Sequence, residues 1–210
     1  MAFLPMNAKE MRDRGWNEVD FVYVCGDSYV DHPSFGAAII TRVLEDCGYK
    51  TAFLAQPNWK NDDDFTQFGK PRLGFMVSAG NIDSMVAHYT VAKRKRHDDA
   101  YTAGGKNGRR PDRAVTVYCN IIRKLYPDSP IIIGGLEASL RRFAHYDYWD
   151  DKIRRSILFD SRASILMYGM GEKQIVRIAD KLRDGVPVNE ITDIPGTCYI
   201  SSEYLSLIHI

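Results

Sequence analysis

Apolar positions along the 210-residue chain fall into two alternating patterns. Short runs of β-branched and aromatic residues end on glycine or a polar loop, and longer stretches with apolar residues at helical spacing follow them. Asp20 to Gly26 (DFVYVCG) is the first short run, Thr51 to Ala55 the second and Leu73 to Ala79 the third. Ile131 to Ile133, inside PIIIGGLEASL at Pro130 to Leu140, is the fourth, and Ser164 to Tyr168 the fifth. Near-continuous apolar runs of this length fit strands buried on both faces of a parallel sheet. Between them, Phe35, Ala38, Ile39, Val43 and Cys47 recur on one helical face, with Ser34 as candidate N-cap and Gly48 as stop. Asp83 to Ala92 reads as a further helix. Ala114, Tyr118, Ile121, Ile122 and Leu125 make another stripe, and Ile175, Ile178, Ala179 and Leu182 the last. Five strands alternating with helices predict an α/β fold, a doubly wound, open, parallel five-stranded sheet with right-handed crossovers.

Small residues stand where these strands end. Open α/β sheets bind ligands beyond the carboxyl ends of their strands, and glycine there lets backbone approach a bulky group. The candidate cofactor-binding positions are therefore Gly26, Asp27 and Ser28 after the first strand, Gly80 and Asn81 after the third, Gly134 and Gly135 after the fourth, and Gly169 and Gly171 after the fifth. Glu137 and Ser139 add polar groups at the start of a helix. The competing account is that these glycines only make tight strand-to-helix turns. Gly169-x-Gly171 is not a dinucleotide fingerprint, because Gln174 stands where the third glycine belongs.

Three segments break the alternation. Residues 1–19 read as an arm whose short helix docks by Met11 and Trp16. Lys93 to Pro111 carries Gly104, Gly105 and Gly108 and almost no aliphatic residue, which predicts an exposed, mobile insertion. Its basic residues, Lys93 to Arg96 with Arg109 and Arg110, offer contacts to phosphate or RNA, although His97, Asp98 and Asp99 partly neutralise them and a solvated face is the usual meaning of such a run. His145-Tyr146-Asp147-Tyr148-Trp149 is an aromatic connection suited to an interface or to a cap over the fourth and fifth strands. Arg141, Arg142, Arg154 and Arg155 around it fit pairing with Asp147, Asp150 and Asp151 as well as they fit a substrate.

Composition narrows the classes. With 45% hydrophobic and 26% charged residues and a formal charge of +1, the chain is ordinary globular material with no overall field that demands nucleic acid or an anionic membrane. No apolar run approaches the roughly 20 residues that span a bilayer, and no leader pattern opens the chain, so a cytoplasmic protein with no membrane partner is expected. Cys25, Cys47, Cys119 and Cys198 form no close pair, which predicts reduced thiols and no metal site within the chain.

Several blocks together resemble a known family. FLPM at Phe3 to Met6, RGW at Arg14 to Trp16, GDSYVDHPSFG at Gly26 to Gly36, AQPNW at Ala55 to Trp59, SAGNIDSMVAHYT at Ser78 to Thr90, GGLEASLRRFAHYDYWDDKIRRS at Gly134 to Ser156 and YGMGE at Tyr168 to Glu172 resemble the amino-terminal region of YgiQ-type radical SAM proteins. The resemblance covers Phe3 to Ile200. It implies that residues 20–200 are a Rossmann or flavodoxin-like, cobalamin-binding-like domain ahead of a radical SAM barrel. In that family the barrel holds a [4Fe-4S] cluster on a C-x-x-x-C-x-x-C loop, and the cluster cleaves S-adenosylmethionine to a 5′-deoxyadenosyl radical. Cys198 stands alone, so the resemblance places those ligands outside this chain, assigns it no catalytic residue, and predicts a fragment inactive by itself whose partner is the barrel of the same parent chain.

Cobalamin is the further implied cofactor. Corrinoid proteins that supply a lower axial ligand use Asp-x-His-x-x-Gly after the first strand, and Asp31-His32-Pro33-Ser34-Phe35-Gly36 departs from that spacing. His32 is thus a candidate axial cobalt ligand, with a loop-ordering role as the alternative. Residues 201–210 are expected to be a truncated end, because Leu205 to Ile210 resemble the translated end of a sequencing adaptor; a genuine apolar strand is the other reading. Two functions follow: an accessory domain that positions substrate or cofactor for the barrel, or a stand-alone nucleotide- or RNA-binding module.

Overall fold

The five apolar runs lie side by side in one sheet. In the computed structural model, which describes residues 3–202, the chain forms α1 (Ala8–Asp13), β1 (Phe21–Cys25), α2 (Gly36–Asp46), β2 (Thr51–Ala55), α3 (Asp63–Thr66), β3 (Gly74–Ser78) and α4 (Ser84–His88). It continues through α5 (Ala114–Leu125), β4 (Ile131–Ile133), α6 (Gly135–Leu140), β5 (His145–Asp147), β6 (Lys152–Arg154), α7 (Ile157–Ser161), β7 (Ile165–Met167), α8 (Glu172–Arg183) and β8 (Thr197–Cys198). The strand order of the main sheet is β2-β1-β3-β4-β7-β8. Its first five strands are parallel, with Val22 beside Ala52 and Phe75, and Ile133 beside Val77 and Leu166.

Alternating side chains build two cores. Val22, Val24, Phe75, Val77, Ile131 and Leu166 face Tyr118, Cys119 and Ile122 of α5. Phe21, Tyr23, Met76, Ile132 and Ile165 face Leu44 of α2 and Ile175 and Ile178 of α8. Helices therefore cover both faces of a sheet that is buried on both, the doubly wound arrangement the periodicity predicts.

Four details differ from the sequence reading. The sheet has a sixth strand, β8, which pairs antiparallel with β7; two half-buried residues, Thr197 and Cys198, are too few to leave a pattern. The connection after β4 contains a separate antiparallel hairpin, β5 on β6, in which His145 faces Arg154. The helix after β1 starts at Gly36, and Ser34 instead donates its backbone N–H to His32 Nδ1 at 3.1 Å. The helix after β3 ends at His88, where Tyr89 turns extended and bridges to Lys95.

The insertion is fastened down along part of its length. Residues 93–98 are exposed as expected, but Asp99, Thr102, Arg110 and Pro111 are buried. Tyr101 O accepts from the Ser28 N–H at 2.9 Å, the Ala103 N–H donates to Ser28 Oγ at 3.1 Å, and Gln56 Nε2 donates to Thr102 Oγ1 at 2.7 Å. This segment is a strap over the ends of β1 and β2. A window without aliphatic residues carries no periodic signal, so anchoring by polar pairs is invisible in it. In the arm, Met11 is buried and the Arg14 guanidinium lies 5.0 Å over the Trp16 ring. The predicted adaptor-like tail, 205–210, lies outside the described residues.

Candidate functional site

The carboxyl edge of the sheet is divided. On the side facing α2 and α8 it opens into a cavity of about 180 Å³, floored by Tyr23, Met76, Ile132 and Met167 and walled by Gly36, Ala37 and Ile40 at the start of α2. Gly80, Asn81, Gly134, Gly135, Gly169 and Gly171 complete the rim, with Met170 and Glu172 at the mouth. Among the described residues that line it there is no lysine, arginine or histidine. The space is real at the glycines: a Cβ on Gly134 would stand 3.6 Å from Met167 O, ordinary van der Waals contact. Gly135 has φ +79°, so it is also required by the turn.

Between β1 and β3 the edge is closed. A Cβ on Gly26 would fall within the Ala79 carbonyl, and one on Gly80, where φ is +109°, within the Asp27 carboxylate. Asp27 is buried, accepts the Asn81 N–H at 2.7 Å and lies 3.0 Å from Arg110 Nη1. The same Nη1 donates to Ala79 O at 2.9 Å, and Nη2 and Nε bond Asp99 at 2.9 and 3.1 Å. Burial pushes the Asp27 carboxyl up to about 6, opposed by the Asn81 hydrogen bond and the Arg110 charge. Burial likewise pushes the neighbouring Cys25 thiol up to about 12, with the Asp27 charge adding to it.

Six of the eleven predicted site residues, Gly80, Asn81, Gly134, Gly135, Gly169 and Gly171, thus meet around one cavity, and five do not line it. Gly26 and Asp27 belong to the closed crevice. Ser28 holds the strap and accepts nothing from the cavity side; its Oγ donates to Gln56 Oε1 at 3.0 Å. Glu137 is 1% exposed and is committed to the fold. Its Oε2 accepts from the Ser84 N–H at 2.9 Å and its Oε1 from the Val115 N–H at 3.0 Å, so one carboxylate satisfies the first turns of α4 and α5. Burial raises its pKa, and the nearby Asp83 adds to the rise. Ser139 is half-buried on α6, where its carbonyl accepts from Arg142 Nη1 at 2.6 Å.

His32 is exposed on the loop before α2, outside the cavity lining, with Nδ1 occupied by Ser34. Sequence reasoning passed over Arg110 and Asp99, reading both into a solvated run. The arginines near the hairpin pair locally: Arg113 and Arg154 share Asp147 at 2.9 and 2.7 Å, while Arg141 pairs with Asp83. Among the described residues no group of three or more histidines, cysteines or carboxylates is placed to hold a metal ion.

Comparison with known proteins accords with this architecture. The Radical SAM N-terminal family profile matches residues 3–208. A UPF0313 protein of Clostridium botulinum (strain Okra) is 58% identical over 207 residues, which are 99% of this chain and 32% of that protein. One from Clostridium perfringens (strain SM101) is 60% identical over 199 residues, 95% of this chain and 30% of that one. The chain thus spans about a third of the length of these relatives. The structure of the radical S-adenosylmethionine methyltransferase TsrM from Kitasatospora setae, with tryptophan substrate and a SAM analogue bound, superposes with a TM-score of 0.55 at 17% identity. It covers 87% of this chain and 28% of that one, a likeness of fold alone. No helix among the described residues is long and apolar enough to cross a membrane. With the family profile spanning nearly its full length and relatives close to 60% identical along it, the chain belongs to the Radical SAM N-terminal family.

Proposed function

We propose that this chain is the accessory domain of a radical SAM protein, and that its open cavity positions part of a substrate or cofactor against a catalytic barrel in the rest of the longer protein. The observation that carries the reading is the glycine-rimmed, apolar cavity at the carboxyl ends of β3, β4 and β7. Met170 at its mouth is 78% exposed, and further exposed apolar side chains stand on α6, after it and on the hairpin: Leu140 at 60%, Phe143 at 63% and Ile153 at 71%. Large apolar side chains left exposed in this way suit contact with another domain. The residues present do not fit the cluster: Cys25 and Cys119 are buried, and among the described residues no three cysteines, histidines or carboxylates converge to hold iron. The proposal therefore assigns the iron–sulfur cluster and S-adenosylmethionine to the barrel.

The intact parent protein tests this. After anaerobic reconstitution, Gly134→Leu, which fills the cavity without needing a left-handed backbone, is expected to keep the cluster absorbance and to slow product formation by about tenfold or more. Turnover equal to the unsubstituted protein would sink the cavity reading. The module that binds nucleotide or RNA alone rests on the exposed run at 93–98; retention on a nucleic acid column that falls steeply with salt would favour it instead.

A further inference from the structure

The order β2-β1-β3-β4-β7 reverses direction between β1 and β3, and open α/β sheets receive their ligands in the crevice at such a switch point. In this chain Arg110 fills that crevice. Its side chain is 0% exposed; it donates to Asp99 and to the Ala79 carbonyl at the end of β3, and its Nη1 lies 3.0 Å from Asp27 Oδ1 as an ion pair. The strap that delivers it is bound again at Ser28 and Gln56, after β1 and β2.

We propose that Arg110 and its strap are the resident occupant of the switch-point crevice, and that Arg110 thereby determines which ligands the edge admits. A compact apolar group fits the neighbouring cavity. A ligand whose ring system or nucleotide tail must enter between β1 and β3 does not. This rests on the reading of the edge as a ligand site and adds its selectivity.

Three observations carry the inference. A guanidinium bonded to Asp99 and the Ala79 carbonyl and paired with Asp27 cannot leave the crevice without stripping two buried carboxylates of their counter-charge. The remaining cavity, about 180 Å³, is below the roughly 300–1,000 Å³ of pockets that bury a drug-sized ligand, so it holds a part of such a molecule at most. Among the described residues no cationic side chain lines it, so a phosphate has no partner among them of the kind nucleotide sites provide. A corrinoid with its nucleotide tail therefore does not fit this edge as built, and His32, exposed and bonded to Ser34, stands in no position to serve as its axial ligand.

Equilibrium dialysis of the full chain against hydroxocobalamin, cobinamide and flavin mononucleotide, each followed by its visible absorbance, tests the exclusion. None is expected to be retained, and saturable one-to-one retention of any of them overturns the proposal. Amide exchange tests the anchor. In the double variant Arg110→Met with Asp99→Asn, exchange at Ser28 and Ala103 is expected to accelerate by about tenfold or more while β1 and β3 stay protected. Unchanged exchange there overturns the role of Arg110. If that variant loses sheet protection, Gln56→Ala, which removes the Thr102 bond outside the buried cluster, must still release Ala103 severalfold for the proposal to stand. The Gly134→Leu assay reads the open cavity alone, so the two proposals fail separately.

Discussion

The closed and open halves of the carboxyl edge are paved with the same residue for opposite reasons. Gly26 and Gly80 are glycine because β1, β3 and the Asp27 carboxylate come so close that no Cβ fits. Gly134 has ordinary room beside it, 3.6 Å to the nearest atom, and a Cβ on Gly171 would meet only the end of the Ile40 side chain, tightly, at 3.3 Å. One half is charged, buried and filled by its own chain; the other is apolar and unfilled. A glycine at a strand end is thus a statement about crowding as often as about a ligand, and only the neighbours tell which.

The sharpest way to break this comparison is to remove the ion that fills the closed half. Arg110→Ala strands Asp27 and Asp99 in the interior and is expected to lower stability by about 3–5 kcal/mol in urea unfolding. A loss under about 1 kcal/mol would mean that the crevice is wet. Next comes Gly80→Ala, which combines a left-handed backbone with collision against Asp27; an expected cost of about 2–4 kcal/mol separates it from a merely permissive glycine.

A smaller effect is the pH dependence contributed by Asp27. Its carboxyl, ordinarily at 3.8, is pushed up to about 6 in the fold, so between those values the folded chain holds a proton that the unfolded chain has released. Folded protein then binds more protons, and stability falls as pH rises through that window. From pH 5 to pH 7 the loss due to this group is expected to be about 1 kcal/mol, and Asp27→Asn should flatten the curve by that amount. Equal slopes in the two proteins would show that Asp27 is already ionised at pH 5. The smallest change expected is Gly134→Ala in the open half, within about 1 kcal/mol of the parent and of either sign. A cost comparable to that of Gly80→Ala would erase the distinction between the halves.

Much of the architecture was legible in the chain. The five parallel strands stand where the β-branched runs predicted, because strands buried on both faces need apolar residues at every position. Two-residue β8 and the hairpin were not legible: Thr197–Cys198 is too short for a period, and in β5 and β6 only Asp147 is buried. At the site, the small-residue rim could be read but the fate of the charges could not. Glu137 sits in a helix-forming stretch and looked like a ligand contact; it caps two helices whose first residues, Ser84 and Ala114, are distant in sequence. Arg110 sits beside Arg109 in a basic run, yet one is buried and the other exposed.

Local order was therefore written in the sequence itself: which segments are strands, which are helices, and where the chain must turn without side chains. These follow from periodicity and backbone freedom, which depend on residues within a few positions of one another. The tertiary structure alone decided which half of the edge is open and which arginine closes the other. That choice depends on Asp27, Asp99 and Arg110 meeting across tens of residues, and desolvation of a charge is a property of the place it reaches, not of the residues beside it in the chain.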